Sequence, residues 1–183
     1  MTSPVPDVAA AASPAGPPSD SAFTRLCALL AKASLMLAVV MLIGVILCVQ
    51  TQVVGRYIFN DTPTWAESLA LQLVLYVTAL GVAVGVRDAG HIGLESLVSL
   101  LPEAWRLKLE LLIHALVALF GGLMAWSGWV WTTMNWSERD PMLGIPVGVN
   151  YLALVIAGAL IVLFSIEHMV ALLRHEEVVP AWN

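Results

Sequence analysis

The sequence predicts an all-α integral membrane protein: four transmembrane helices, with an interfacial amphipathic helix between spans two and three. Three observations predict it. Four long stretches, Ala33–Gly55, Ser68–Val86, Leu111–Trp136 and Gly144–Ile166, carry no Asp, Glu, Lys or Arg. Each has about the ~20 residues a helix needs to cross ~30 Å of hydrocarbon. The composition agrees: 60% hydrophobic and 11% charged, with mean hydropathy +0.88, against ~25% charged in an ordinary soluble domain. Between the second and third stretches, Leu94, Leu97, Val98, Leu101 and Trp105 recur at three- and four-residue spacing. Glu95, Ser99, Glu103 and Arg106 fall elsewhere on the wheel, which is the period of a helix lying along a membrane surface.

In chain order, residues 1–24 form a Pro-, Ala- and Ser-rich tail that reads as disordered and cytoplasmic. It has no basic n-region, so the first span reads as an uncleaved signal anchor. Residues 25–174 are the four-helix membrane domain, with spans at about 33–58, 65–86, 106–136 and 145–167 and the interfacial helix at about 92–101. Residues 175–183 are a short cytoplasmic tail. Span one carries Arg56 to the outer interface, where its long side chain can snorkel to water. The connection Asn60–Ala66 is short enough to force an antiparallel hairpin, and Thr64 and Glu67 have capping-box spacing. Span two contains Gly81-Val-Ala-Val-Gly85, a GxxxG pattern that lets another helix approach. Pro102 bends the chain into span three, which has Gly121-Gly122 halfway along and Trp126, Trp129, Trp131 and Trp136 toward its outer end. A turn over 137–146 leads into span four.

Orientation follows from the basic residues. Of the eight Lys and Arg, Arg25, Lys32, Arg87, Arg106, Lys108 and Arg174 fall on the side of the termini, and only Arg56 and Arg139 on the other. Both termini are therefore expected in the cytoplasm. Cys27 and Cys48 are too far apart along one helix to form a disulfide with each other. No basic patch supports nucleic-acid binding.

The chemistry on offer is sparse. Mid-span acids that would relay protons or couple ions are missing from the sequence, which counts against a small four-helix exporter. Arg56 and Glu67 should meet at the outer membrane level, as an anchor and a helix cap or as a pair. His114 and His168, near the inner ends of spans three and four, should lie at similar depth. They raise an alternative reading, a haem-binding anchor of an electron-transfer complex, beside the plainer one of interfacial histidines. The remaining surface faces membrane lipids.

The order Arg56-Tyr-Ile-Phe59-Asn60, Trp65-Ala-Glu67, Gly81, Arg87, His91-Ile-Gly-Leu-Glu95 and Leu101-Pro102, followed by Gly144-Ile-Pro146 and Tyr151-Leu, resembles the small membrane subunit of TRAP transporters, the DctQ-like family. Ser68 stands where members of that family often carry a second acid after Trp-x-Glu. The resemblance implies a bacterial inner-membrane protein without enzymatic activity. Its implied partners are a large permease subunit, which would bind the coupling ion, usually sodium, and a periplasmic substrate-binding protein, the system importing an organic acid. It also implies no cofactor in this chain, and a scaffold role with Arg56, Asn60, Trp65, Glu67, Arg87 and His91 as polar positions fixing the arrangement. Gly81 and Gly85 are the helix-packing candidates.

Overall fold

A computed structural model describes residues 22–88 and 103–174. The disordered tail expected before residue 22, the interfacial helix at 92–101, His91 and the tail from 175 lie outside the described residues. Helix α1 (Ala22–Val54) runs into a π-helical turn (Gly55–Phe59), followed by α2 (Thr64–Asp88), α3 (Glu103–Met134) and α4 (Gly148–Arg174). All four are long and apolar enough to cross a membrane. The described residues contain no strand beyond a single bridge between Arg139 and Pro146.

The helices run past the charge-free stretches. α1 with its π turn spans 38 residues, about 57 Å at ~1.5 Å per residue and well beyond a ~30 Å hydrocarbon core. It begins at Ala22, so the last three residues of the segment expected to be disordered are helical. Packing explains the early start, because Phe23 rests on the core formed by Cys27, Ala31, Ala83, Ile161 and Phe164. α4 likewise continues to Arg174, beyond the expected end at 167. Charges mark where hydrocarbon ends, whereas helical hydrogen bonding continues wherever a neighbouring helix gives the chain something to pack on.

Two tight connections close one end of the molecule, called here the loop end. After the π turn, Asn60 takes a left-handed conformation (φ 52°) and caps it. The Asp61 amide then donates to the Gly55 carbonyl at 3.1 Å. A β-carbon on Gly55 would stand 2.6 Å from the Asp61 carbonyl oxygen, so the chain can double back only over a glycine. α2 opens with the Ala66 amide donating to the Pro63 carbonyl at 3.1 Å. This register starts the helix at Thr64 itself, so Thr64 is its first residue rather than its cap.

The α3–α4 connection is stitched by its own backbone. Asp140 donates from its amide to Ile145 (2.9 Å) and accepts from Gly144 (2.8 Å), while its carboxylate accepts from the amides of Met142 and Leu143 at 2.7 and 3.0 Å. Arg139 Nη1 donates to the Gly144 carbonyl at 2.9 Å.

The helices pack in the order α1, α2, α4, α3. α1 lies along α2, α2 along α4 and α4 along α3, with only a slight contact between α1 and α4. This is a row rather than a ring. α4, flanked on both sides, carries the longest set of buried residues, including Ala153, Ala157, Gly158, Ile161, Phe164 and Ser165. α3 meets it at glycine-lined faces, the feature that lets helices associate closely where no hydrophobic effect drives them together.

A buried charge cluster as the candidate functional site

The four helices converge at the end opposite the loops. Arg87 lies in the last turn of α2, buried to 2% exposure, and Glu167, equally buried, reaches it from α4. The guanidinium grips the carboxylate side-on: Nε donates to Oε2 at 2.9 Å and Nη2 to Oε1 at 3.1 Å. Nη1 turns to Asp88 Oδ1 at 3.3 Å. Phe164, one turn before Glu167, places its ring centroid 5.9 Å beneath the guanidinium carbon. A two-pronged Arg–carboxylate pair fixes orientation as well as distance. The planar, weakly hydrated guanidinium suits such a dry setting better than an ammonium.

The other two helices complete the cluster. From α1, the buried Cys27 thiol lies beside the Glu167 carboxylate. From α3, His114 meets His168 edge-on, ring centroids 4.8 Å apart. Both imidazoles are buried, and so is Ser165. The two histidines do share one level, as the sequence predicts. Their rings touch, however, and leave no gap for a porphyrin plane between them. The residues present do not fit a bis-histidine haem.

At the loop end, Arg56, Asn60, Trp65 and Glu67 are all exposed. Arg56 and Glu67, expected to meet there, form no ion pair with each other. Gly81 and Gly85 face outward, and a β-carbon on either would meet nothing within 4 Å. Among the described polar candidates, Arg87 is the one that the fold buries.

At the end of span four Glu167 is expected at the water interface, yet the structure buries it. A signal was available: the apolar run resumes as Met169-Val-Ala-Leu-Leu173 after Glu167-His168. An acid with apolar helix on both sides must find a partner.

A row of apolar helices, each long enough to cross a membrane, defines a multi-pass α-helical membrane protein. The chain belongs to the DctQ component family of tripartite ATP-independent periplasmic (TRAP) transporters, whose profile matches residues 45–175. That range takes in Arg87, His114, Glu167 and His168. Among its relatives is a "Putative TRAP transporter small permease protein" of Haemophilus influenzae, 26% identical over 119 residues, covering 65% of this chain and 74% of that protein. The "Sialic acid TRAP transporter small permease protein SiaQ" of Vibrio cholerae is 27% identical over 134 residues, covering 73% and 78%. The "Sialic acid TRAP transporter permease protein SiaT" of Haemophilus influenzae is 35% identical over 66 residues, covering 36% of this chain but 11% of that one.

Proposed function

We propose that this chain is the small membrane subunit of a TRAP-type secondary transporter, acting as a non-catalytic scaffold for a large permease subunit. The system would import an organic acid, driven by an ion gradient and fed by a periplasmic binding protein. The coupling ion, sodium in this reading, would be bound by the large subunit, and both termini of this chain would be cytoplasmic in a bacterial inner membrane. The observation that carries the reading is the row order α1, α2, α4, α3. Among the described residues, four helices in a row offer no central path of the kind a ring of helices would enclose. They present two broad faces instead, and a slab of this kind works by leaning on something larger. The relative named SiaT fits this view, since the matched stretch is a small part of a much longer permease chain.

One stripe suits the partner. Glu67, Leu71, Val74, Thr78, Gly81 and Gly85 recur at alternating four- and three-residue steps along α2, and all are exposed. That spacing is a helix-packing seam, and its glycines permit close approach. The exposed side of α3 offers Leu112, Leu116, Leu119, Phe120, Leu123 and Trp126, bulky side chains suited to lipid. Exposed Trp65, Trp129, Trp131 and Trp136 would anchor the loop end at the membrane surface. A brace held against vertical displacement gives a moving transport domain something fixed to move against.

The test is reconstitution. Proteoliposomes holding the large subunit, the binding protein and this chain should import substrate down an imposed ion gradient. Full-rate import without this chain, or import by this chain alone, would sink the proposal.

A further inference from the structure

We infer that Arg87 and Glu167 are positioning residues that set the axial register between two helical hairpins. α1 and α2 are joined by the short turn at 60–63, and α3 and α4 by the hydrogen-bonded connection at 135–147. Covalent geometry therefore fixes the register inside each hairpin. The seam between the hairpins, α2 against α4, has no such constraint. Tyr76 meets Val149 and Arg87 meets Glu167, so both helices run in the same direction from the loop end. Parallel neighbours cannot be joined by a tight turn. These two contacts bridge 73 and 80 residues of sequence.

Apolar packing alone is a poor ruler for this seam. Its buried side chains include Ala83 on α2 and Ile161 and Phe164 on α4, which share one apolar cluster. Hydrophobic contacts carry no direction, and small and aliphatic side chains repeat each turn. A slip by one helical turn, ~5.4 Å, would exchange one set of apolar contacts for a similar one. It would also pull the Arg87 guanidinium off Glu167 and leave two charges buried apart. The Tyr76 hydroxyl, donating to the Val149 carbonyl at 2.7 Å, marks the same register nearer the loop end. One strong polar contact among interchangeable apolar ones is how buried charge confers specificity instead of net stability.

The experiment uses the full chain in lipid nanodiscs, so it needs no partner and its failure leaves the scaffold reading standing. Spin labels at D61C and L173C join the tip of one hairpin to the far end of the other. Both positions are exposed. The vector between them runs mostly along the helices, so axial slip is read nearly in full. The parent should give one narrow electron–electron distance. R87M/E167L, which replaces the pair with apolar side chains of similar size, should add a population displaced on the order of one turn, ~5 Å. The reversed pair R87E/E167R should return the single distance. An unshifted, equally narrow distribution in R87M/E167L would overturn the inference. Should that variant fail to accumulate, R87K decides: it keeps the charge but loses the side-on grip, so broadening supports the inference and parental width overturns it.

Discussion

Gly158 of α4 presses on Gly121 of α3 so closely that a β-carbon at position 158 would stand 2.5 Å from the Gly121 carbonyl oxygen and 2.6 Å from the Ala125 amide nitrogen. Both obstacles are backbone atoms, which cannot rotate aside as a side chain can. Gly158→Ala should therefore push the two helices apart and destabilise the protein by about 1–3 kcal/mol, the usual range for overpacking. Gly122→Ala, next to Gly121 but with no atom within 4 Å of an added β-carbon, should be neutral or stabilise by up to about 1 kcal/mol, since alanine is the better helix former. Unfolding of purified protein in mild detergent would compare them. Equal stabilities would show that α3 and α4 have slack at this contact.

Glu167 offers a second contrast. Glu167→Ala removes one partner and leaves the Arg87 guanidinium buried, a loss typically worth about 3–5 kcal/mol. Glu67→Ala, at the exposed start of α2, removes a solvated carboxylate and should shift stability by no more than about 0.5 kcal/mol. The same unfolding assay checks both. A Glu167→Ala variant as stable as the parent would mean that water or Asp88 satisfies Arg87 once the carboxylate is gone.

How much of this was legible in the sequence depends on what hydrocarbon can and cannot signal. The four helices were legible because a charge in the bilayer is costly, so its absence over some twenty residues is informative. Which face of each helix turns inward was not. Lipid and protein interior are both apolar, so no polar stripe marks the outside as it does in a soluble bundle. Gly81-x-x-x-Gly85, the pattern nearest to a packing motif, faces outward, whereas Gly121, Gly128, Gly148 and Gly158 hold α3 to α4. Arg87 stood out as a charge at a helix end. Its partner is 80 residues away on a parallel neighbour, and local spacing cannot reveal such a pairing. The shared level of His114 and His168 could be read, because it needs only the hairpin topology and helix lengths.

The outward stripe on α2 separates the stability of this chain from its assembly. Leucines at Gly81 and Gly85 meet nothing within this protein, since even a β-carbon there has open space around it. Gly81→Leu with Gly85→Leu should unfold at the parental temperature, or slightly above it, because glycine is the poorer helix former by about 0.8–1 kcal/mol per position. If the stripe packs against a large permease subunit, two leucines would hold the partner helix off and reduce its co-purification several-fold. Parental co-purification would move the interface to another face of the row.

The exposed polar positions at the loop end allow a test on the transport side. Arg56 and Glu67 are exposed, and among the described residues they form no ion pair. Replacing either with alanine should leave unfolding unchanged. If they fix a partner or border the place where the binding protein docks, Arg56→Ala and Glu67→Ala should each slow substrate uptake in proteoliposomes. Ligand binding to the isolated binding protein should remain intact, because that site lies on another chain. Charge contacts at a rim act chiefly on association, so raising salt should slow uptake by the parent, matter less for the variants and narrow the difference between them. Parental uptake rates from both variants at every ionic strength would remove these residues from the working surface.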